Sequence, residues 1–234
     1  MKKITLLCAL LLAFYSHAIA QPRLGVKVGA AFSNLYDSGR HAGNPYYFAG
    51  KSIYGGLTLD FAITENLAIQ PGVSLLSKGL VSKGSVSFNT FGEGYYSKSF
   101  DQYKSYYIEV PINMVYAFKL GSGKLIGGLG PYYGVAVGGR LAFNDENNFV
   151  SNYFPTAPSS SGYIGIKYGK EGAGQLRRND FGLNGSLGYE LKNGFGLQAG
   201  YSMGLVDVRS ENIGVDVNQT KNRVITTGVF YKFK

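Results

Sequence analysis

Lys27, Asp60, Gln70, Glu109, Asn113, Asp180, Asn184, Glu190 and Gln198 each occupy the alternate position within a run of apolar residues. Successive side chains of a strand point to opposite faces, so these nine share the face opposite the apolar one. Ammonium, carboxylate and amide groups gathered on one inner face can do two kinds of chemistry. They can neutralise one another as ion pairs and hydrogen bonds, or they can line a path for ions or protons. A charge away from water is costly unless it is paired or hydrated. The pattern therefore predicts a polar, salt-bridged interior network, with Lys27 set against Glu109 or another inward acid. A narrow conducting pore is the alternative use of the same residues.

Other chemistries find less support. Nucleophilic catalysis needs a base within hydrogen-bond reach of a hydroxyl or thiol. The chain has two histidines, His17 and His41. The first lies in the N-terminal apolar segment. The second sits near Asp37, Ser38 and Arg40 with no inward Ser and acid to match it, so no catalytic residues are assigned. Asp145-Glu146 beside Asn147-Asn148 could collect oxygen ligands for a weak calcium site, but the glycine-centred spacing of a calcium loop is missing. No metal and no cofactor are expected. Gly127-Gly128-Leu129-Gly130 lacks both a following helix and a Lys-Ser/Thr ending, so it is not a phosphate loop.

The elements that must position the nine residues are strands. Before them, residues 1–20 read as a cleaved secretory signal. Lys2 and Lys3 form its basic start, 4–14 its apolar centre, and Ala18-Ile19-Ala20 its cleavage site. The apolar run is too short for a spanning helix. Cys8, the single cysteine, leaves with it, so residues 21–234 form a cysteine-free domain without disulfides or thiolate ligands. The signal holds two of the 23 basic residues and none of the 14 acids, leaving +7 on the mature chain. That excess fits contact with anionic headgroups as well as it fits solvated loops. Tyr (19), Phe (15) and Gly (34) are abundant, as aromatic girdles and a narrow barrel interior require.

Period-two alternation predicts strands at 24–33, 53–62, 67–76, 106–118, 125–138, 181–191, 195–205 and 223–233. The last is the least regular, because Val224 and Phe230 fall on the opposite parity from Ile225, Val229 and Tyr231. Short links at 63–66, 119–124 and 192–194 alternate with long ones at 34–52, 77–105, 139–180 and 206–222. Thr64-Glu65-Asn66, Gly121-Ser122-Gly123 and Asn193-Gly194 supply the turn chemistry. An even strand count with such connections is the form of an all-β, eight-stranded antiparallel up-and-down transmembrane barrel. Its short turns would face the periplasm and its long loops the cell exterior, placing the chain in a Gram-negative outer membrane.

Tyr107-Ile108-Glu109-Val110-Pro111-Ile112, Gly130-Pro131-Tyr132-Tyr133-Gly134, Asp180-Phe181-Gly182-Leu183 and Gly188-Tyr189-Glu190 resemble the signature runs of one family. It is the outer-membrane β-barrel family of Bacteroidota that includes PorT-like proteins. The resemblance spans residues 25–233. It implies the barrel fold and the outer-membrane location. It leaves activity open, since most members have no assigned role and some PorT-like members are linked to gliding or secretion. Val229, Tyr231 and Phe233 would then form the signal read by the barrel-assembly machinery, with Lys234 departing from the usual terminal aromatic.

Specificity is expected in the outer loops. Tyr95 and Tyr96 in one, and Tyr163, Tyr168, Arg177 and Arg178 in another, combine amphipathic rings with cations. Such groups suit lipopolysaccharide, outer-membrane lipid, a glycan or a protein partner. Nucleic acid is not expected as a partner of an exported chain. The functional expectation is a structural or surface-interaction barrel with a polar plugged lumen and no enzyme activity.

Overall fold

Alternating apolar and small or polar residues give nine strands among the described residues. These are β1 (Arg23–Asp37), β2 (Tyr46–Ala62), β3 (Leu67–Thr90), β4 (Glu93–Leu120), β5 (Gly123–Val150), β6 (Ser160–Gly165), β7 (Asn179–Glu190), β8 (Phe195–Gly204) and β9 (Thr220–Lys232). The computed structural model describes residues 22–37, 46–90, 93–150, 159–169, 176–209 and 219–233, with backbone only at 37, 46–48, 86, 88–90, 93–96 and 147–150. The expected signal at 1–20, with Cys8 and His17, and the loop His41 lie outside the described residues.

Eight strands close a ring in the order β1-β2-β3-β4-β5-β7-β8-β9, each antiparallel to its neighbours. The seam is β1 against β9, with Val28 opposite Val229 and Gly29 opposite Gly228. Closure leaves the ring without a free edge, the condition for crossing a bilayer with strands. No helix among the described residues is long and apolar enough to cross a membrane.

The burial pattern is inverted relative to a water-soluble barrel. Leu57, Leu59, Val73, Leu75, Ile108, Val110, Ile112, Met114, Leu187 and Leu197 all face outward and are exposed. An apolar surface this continuous is matched by hydrocarbon and not by water. Inside, the core consists of Ala31, Tyr54, Leu76, Tyr107, Ala136 and Val224. The turns form as their residues dictate. The Thr64 hydroxyl accepts from the Leu67 amide at 3.0 Å, and the Asn193 side chain accepts from the Phe195 amide at 3.1 Å. Gly121 and Gly194 take φ of 58° and 88°, left-handed values that a side chain would oppose.

The structure departs from the sequence expectation in the long links: β1 runs on to Asp37 and β2 begins at Tyr46, both within the expected 34–52 loop. Residues 77–105, expected as a long loop, are almost entirely strand. β3 and β4 stay paired up to Thr90 opposite Glu93, and β4 with β5 up to Gly94 opposite Val150. β6 adds a further strand to β5 from within the expected 139–180 loop. A strand with water on both faces has no apolar alternation to betray it, so only the cross-strand pairing reveals it. β9 keeps the two parities read from the sequence, and the structure assigns each its face. Val224 and Phe230 turn into the lumen and are buried, while Ile225, Tyr231 and Phe233 face out. Phe230 fits because Gly196 opposite it has no side chain; a Cβ there would stand 2.3 Å from the Phe230 ring.

Candidate functional site in the barrel lumen

Barrel register brings the inward residues together in tiers. At the loop end, Glu109 of β4 pairs with Gly134 of β5, and Gly134 pairs in turn with Asp180 of β7. The missing side chain at Gly134 lets the two carboxylates share one level. Lys78 reaches them from β3. Its ammonium lies 2.5 Å from Asp180 Oδ2 and also contacts Glu109 Oε1. It sits over the rings of Tyr132 and Tyr107, 4.5 and 4.9 Å from their centroids. The Tyr132 hydroxyl donates to Asp180 Oδ2 at 3.1 Å, and Asn222 Nδ2 donates to the same oxygen at 2.9 Å. Lys78 and Asp180 are each 1% exposed. A lysine so deeply buried is sustained by these charge-assisted bonds and by cation–π contact.

At the turn end, Lys232 Nζ lies 2.5 Å from Asp60 Oδ2 and 3.7 Å from Glu190 Oε2. Arg23 Nη2 donates to Glu190 Oε1 at 2.9 Å, and Gln70 Nε2 donates to Asp60 Oδ1 at 2.6 Å. Between the tiers, Gln198 Nε2 donates to the Tyr54 hydroxyl at 2.8 Å and Asn184 Nδ2 to the Gly130 carbonyl at 3.1 Å. Asn113 is buried at this level, and its Oδ1 has no hydrogen-bond partner among the described residues.

All nine inward residues read from the sequence therefore line or enter the lumen. The expected pair is different, however. Lys27 lines the middle tier and is attracted by Glu109, but no ion pair between them forms; Lys78 holds that carboxylate instead. Alternation assigns a face, whereas height and cross-lumen partner depend on register. Lys78 and Lys232 were missed because both lay outside the assigned inward set. The signal for Lys78 was its even parity with Gln70, Gly72 and Ser74, had β3 been continued upward. The inward parity of Val224 and Phe230 is what brings Lys232 inside.

The spaces left in the lumen are small. Cavities of about 30 and 60 Å³ lie in the middle tier, and one of about 200 Å³ opens at the turn end beside Arg23, Asp60 and Lys232. Each of the first two has room for water. Among the described residues no three His, Cys, Asp or Glu converge for a metal. Asp145 and Glu146 are successive residues of β5, so their carboxylates point to opposite faces.

The loop candidates do not form one surface. Tyr163 of β6 is exposed, with the Arg140 guanidinium 5.5 Å from its ring centre. Tyr168 turns back onto the barrel, donating its hydroxyl to the Gly138 carbonyl at 3.0 Å. Arg177 is half-buried, its backbone amide donating to Val208, and Arg178 is exposed. The side chains of Tyr95 and Tyr96 lie outside the described residues. Of the terminal trio, Val229 is half-buried on the outer face. Tyr231 and Phe233 meet edge to face at 5.1 Å.

A closed ring with a lipid-matched exterior and an ion-paired interior defines a transmembrane β-barrel protein. The chain belongs to the outer membrane protein β-barrel domain family, whose model matches residues 19–210, and its location is accordingly the Gram-negative outer membrane. Among solved structures, Ail of Yersinia pestis bound to the heparin analogue sucrose octasulfate is similar at 13% identity. It covers 92% of this chain and 100% of its own, with a TM-score of 0.40. OprG of Pseudomonas aeruginosa is 15% identical over 90% of this chain and 95% of its own, with a TM-score of 0.38. Neisserial surface protein A is 12% identical over 92% of this chain and 100% of its own, with a TM-score of 0.36. No curated protein matches the chain in sequence.

Proposed function

We propose that the protein is a closed barrel with a structural or surface-interaction role, exercised by the sheet that projects beyond its wall, and that it performs no catalysis. The carrying observation is strand length. β7, β8 and β9 have 12, 10 and 13 residues, whereas β3, β4 and β5 have 24, 28 and 28. A spanning strand needs about 9–11 residues. The surplus stays paired above the barrel and carries Phe100, Tyr103 and Tyr163 as exposed aromatics. Such rings with nearby cations suit a protein or glycan partner, or lipopolysaccharide. The Lys78 tier and the water-sized spaces below it support a plugged lumen. In this reading the chain is exported on a cleaved 1–20 signal, and Val229, Tyr231 and Phe233 are read by the barrel-assembly machinery.

A narrow channel, or a component of a PorT-like transport or secretion assembly, is the second reading. Ser74 Oγ and Asn113 Oδ1, which have no hydrogen-bond partner among the described residues, lie along the small cavities and favour it. The two readings separate in one experiment on the native barrel and on a variant with residues 84–99 replaced by a two-residue turn and with Phe100, Tyr103 and Tyr163 changed to Ser. Both are tested for heat-modifiable migration, planar-bilayer conductance and crosslinked partners from outer membranes. The surface reading expects both barrels to fold and neither to conduct, with the partner lost from the shortened one. Discrete conductance of the native barrel would establish the channel instead.

A further inference from the structure

The wall of the barrel is irregular at one place. β2 and β3 pair from Tyr46 opposite Lys83 to Ala49 opposite Leu80, and resume with a shifted register at Gly55 opposite Leu75. Between these points side chains replace the ladder. Ser52 Oγ donates to the Ser77 carbonyl at 3.1 Å, and from β1 Ser33 Oγ donates to the Gly79 carbonyl at 2.9 Å. Outside this irregularity lies a recess of about 670 Å³, walled by Ile53, Leu75 and Tyr106 and topped by Lys51 and Lys104. Its floor is made by Ser77 and the buried Leu76 and Tyr107. Ile53 is 80% exposed.

The height of the recess is set by the apolar belt. Along β4 the outward residues are apolar or aromatic from Phe118 to Tyr106, and Lys104 is the next outward position. Along β2 the outward series Phe61, Leu59, Leu57 and Ile53 ends at Lys51. A run of that length at about 3.4 Å per residue, tilted by about 40°, is roughly 30 Å tall, close to the ~25 Å apolar band of such barrels. The two lysines therefore stand at the headgroup level of the loop-end leaflet, with an apolar slot directly beneath them. No acid is among the described residues lining the recess.

We infer that this recess binds the phosphorylated glycolipid of the outer leaflet, a lipid A phosphate seated between Lys51 and Lys104 and an acyl chain lying against Ile53, Leu75 and Tyr106. Charge complementarity and position select this occupant. A polybasic contact at the surface attracts lipid anions, and an acyl chain gains about 0.8 kcal/mol for each methylene it buries. The small Ser77 side chain leaves the slot open where a larger residue would fill it. The inference rests on the reading that lipopolysaccharide contacts the outer surface, and it fails separately from the projecting-sheet role, which uses none of these residues.

The test is native mass spectrometry of the detergent-solubilised full barrel, titrated with bis-phosphorylated lipid A. The variants are K51A/K104A, K51R/K104R, S77L and, as a control at the turn end, K119A. Retained heat-modifiable migration reports folding of each. The expected result is at least tenfold weaker binding by K51A/K104A, weaker binding by S77L, and unchanged binding by K51R/K104R and K119A. Dephosphorylated lipid A should bind like the alanine double variant does. Undiminished binding by K51A/K104A overturns the inference, as does equal loss in K119A. Equally tight, lysine-dependent binding of phosphatidylglycerol overturns the glycolipid assignment in favour of a phospholipid. If K51A/K104A does not fold, S77L and the dephosphorylated lipid decide.

Discussion

The two ionic tiers of the lumen solve the same problem with different means. At the turn end, Lys232 and Arg23 face Asp60 and Glu190, two cations for two acids. The Arg23 side chain there is 36% exposed. At the loop end, one lysine serves both Glu109 and Asp180, and the groups around it are Tyr107, Tyr132 and Asn222. The first tier is charge-balanced and meets water at Arg23, although Asp60, Glu190 and Lys232 are buried. The second is dry and one cation short, with Lys27 supplying long-range attraction to Glu109 from below. A dry ionic cluster costs much to disrupt because each partner left behind stays charged without water. The comparison teaches that the more costly buried charge resides in the loop-end tier, while the turn-end tier ties β1 and β9 to β7 and β2.

The largest expected effect follows from removing the dry cation. Lys78→Met leaves two buried carboxylates uncompensated and should cost about 3–5 kcal/mol in urea unfolding. Adding Glu109→Gln and Asp180→Asn to it should restore most of that loss. A Lys78→Met cost no greater than that of the turn-end variants would break the comparison. Lys232→Met should cost less, about 1.5–3 kcal/mol, because Arg23 still neutralises Glu190, Gln70 still donates to Asp60 and the cavity beside Asp60 admits water, so that roughly the worth of a charge-assisted bond is lost. Arg23→Ala sharpens the contrast further. Its half-wet pair should contribute under about 1 kcal/mol in the same assay and fade with added salt.

The smallest effect lies outside the membrane, in the projecting sheet. Burial, reinforced by the charge of Asp145, raises the Asp101 carboxyl above the usual carboxylate range. A raised carboxyl binds its proton more tightly in the folded sheet than in the unfolded chain. Its contribution is fully present below the unfolded pKa and is lost as pH rises through the folded one. Amide protection across 97–102 should therefore increase by a few-fold as pH falls through that window. Asp101→Asn should flatten the response; a wild-type profile that is already flat would count against it.

The strands at 181–191 and 195–205 were legible to within a residue or two, because lipid on one face and lumen on the other impose strict alternation. The same holds for the inward placement of Asp60, Glu109, Asp180 and Glu190, and for the turns at Thr64 and Asn193-Gly194. The runs that carry the family resemblance prove to hold part of the loop-end tier, since Tyr107, Glu109, Tyr132 and Asp180 all surround Lys78. Sequence alone thus determined the class of fold, the membrane it crosses and which face most charges occupy, since a period of two needs only local geometry. Tertiary structure alone decided that Lys78 rather than Lys27 meets Glu109, that Phe230 tucks over Gly196, and that 77–90 and 93–105 continue as strand. Each depends on register between segments distant in the chain, where a shift of one residue changes every partner.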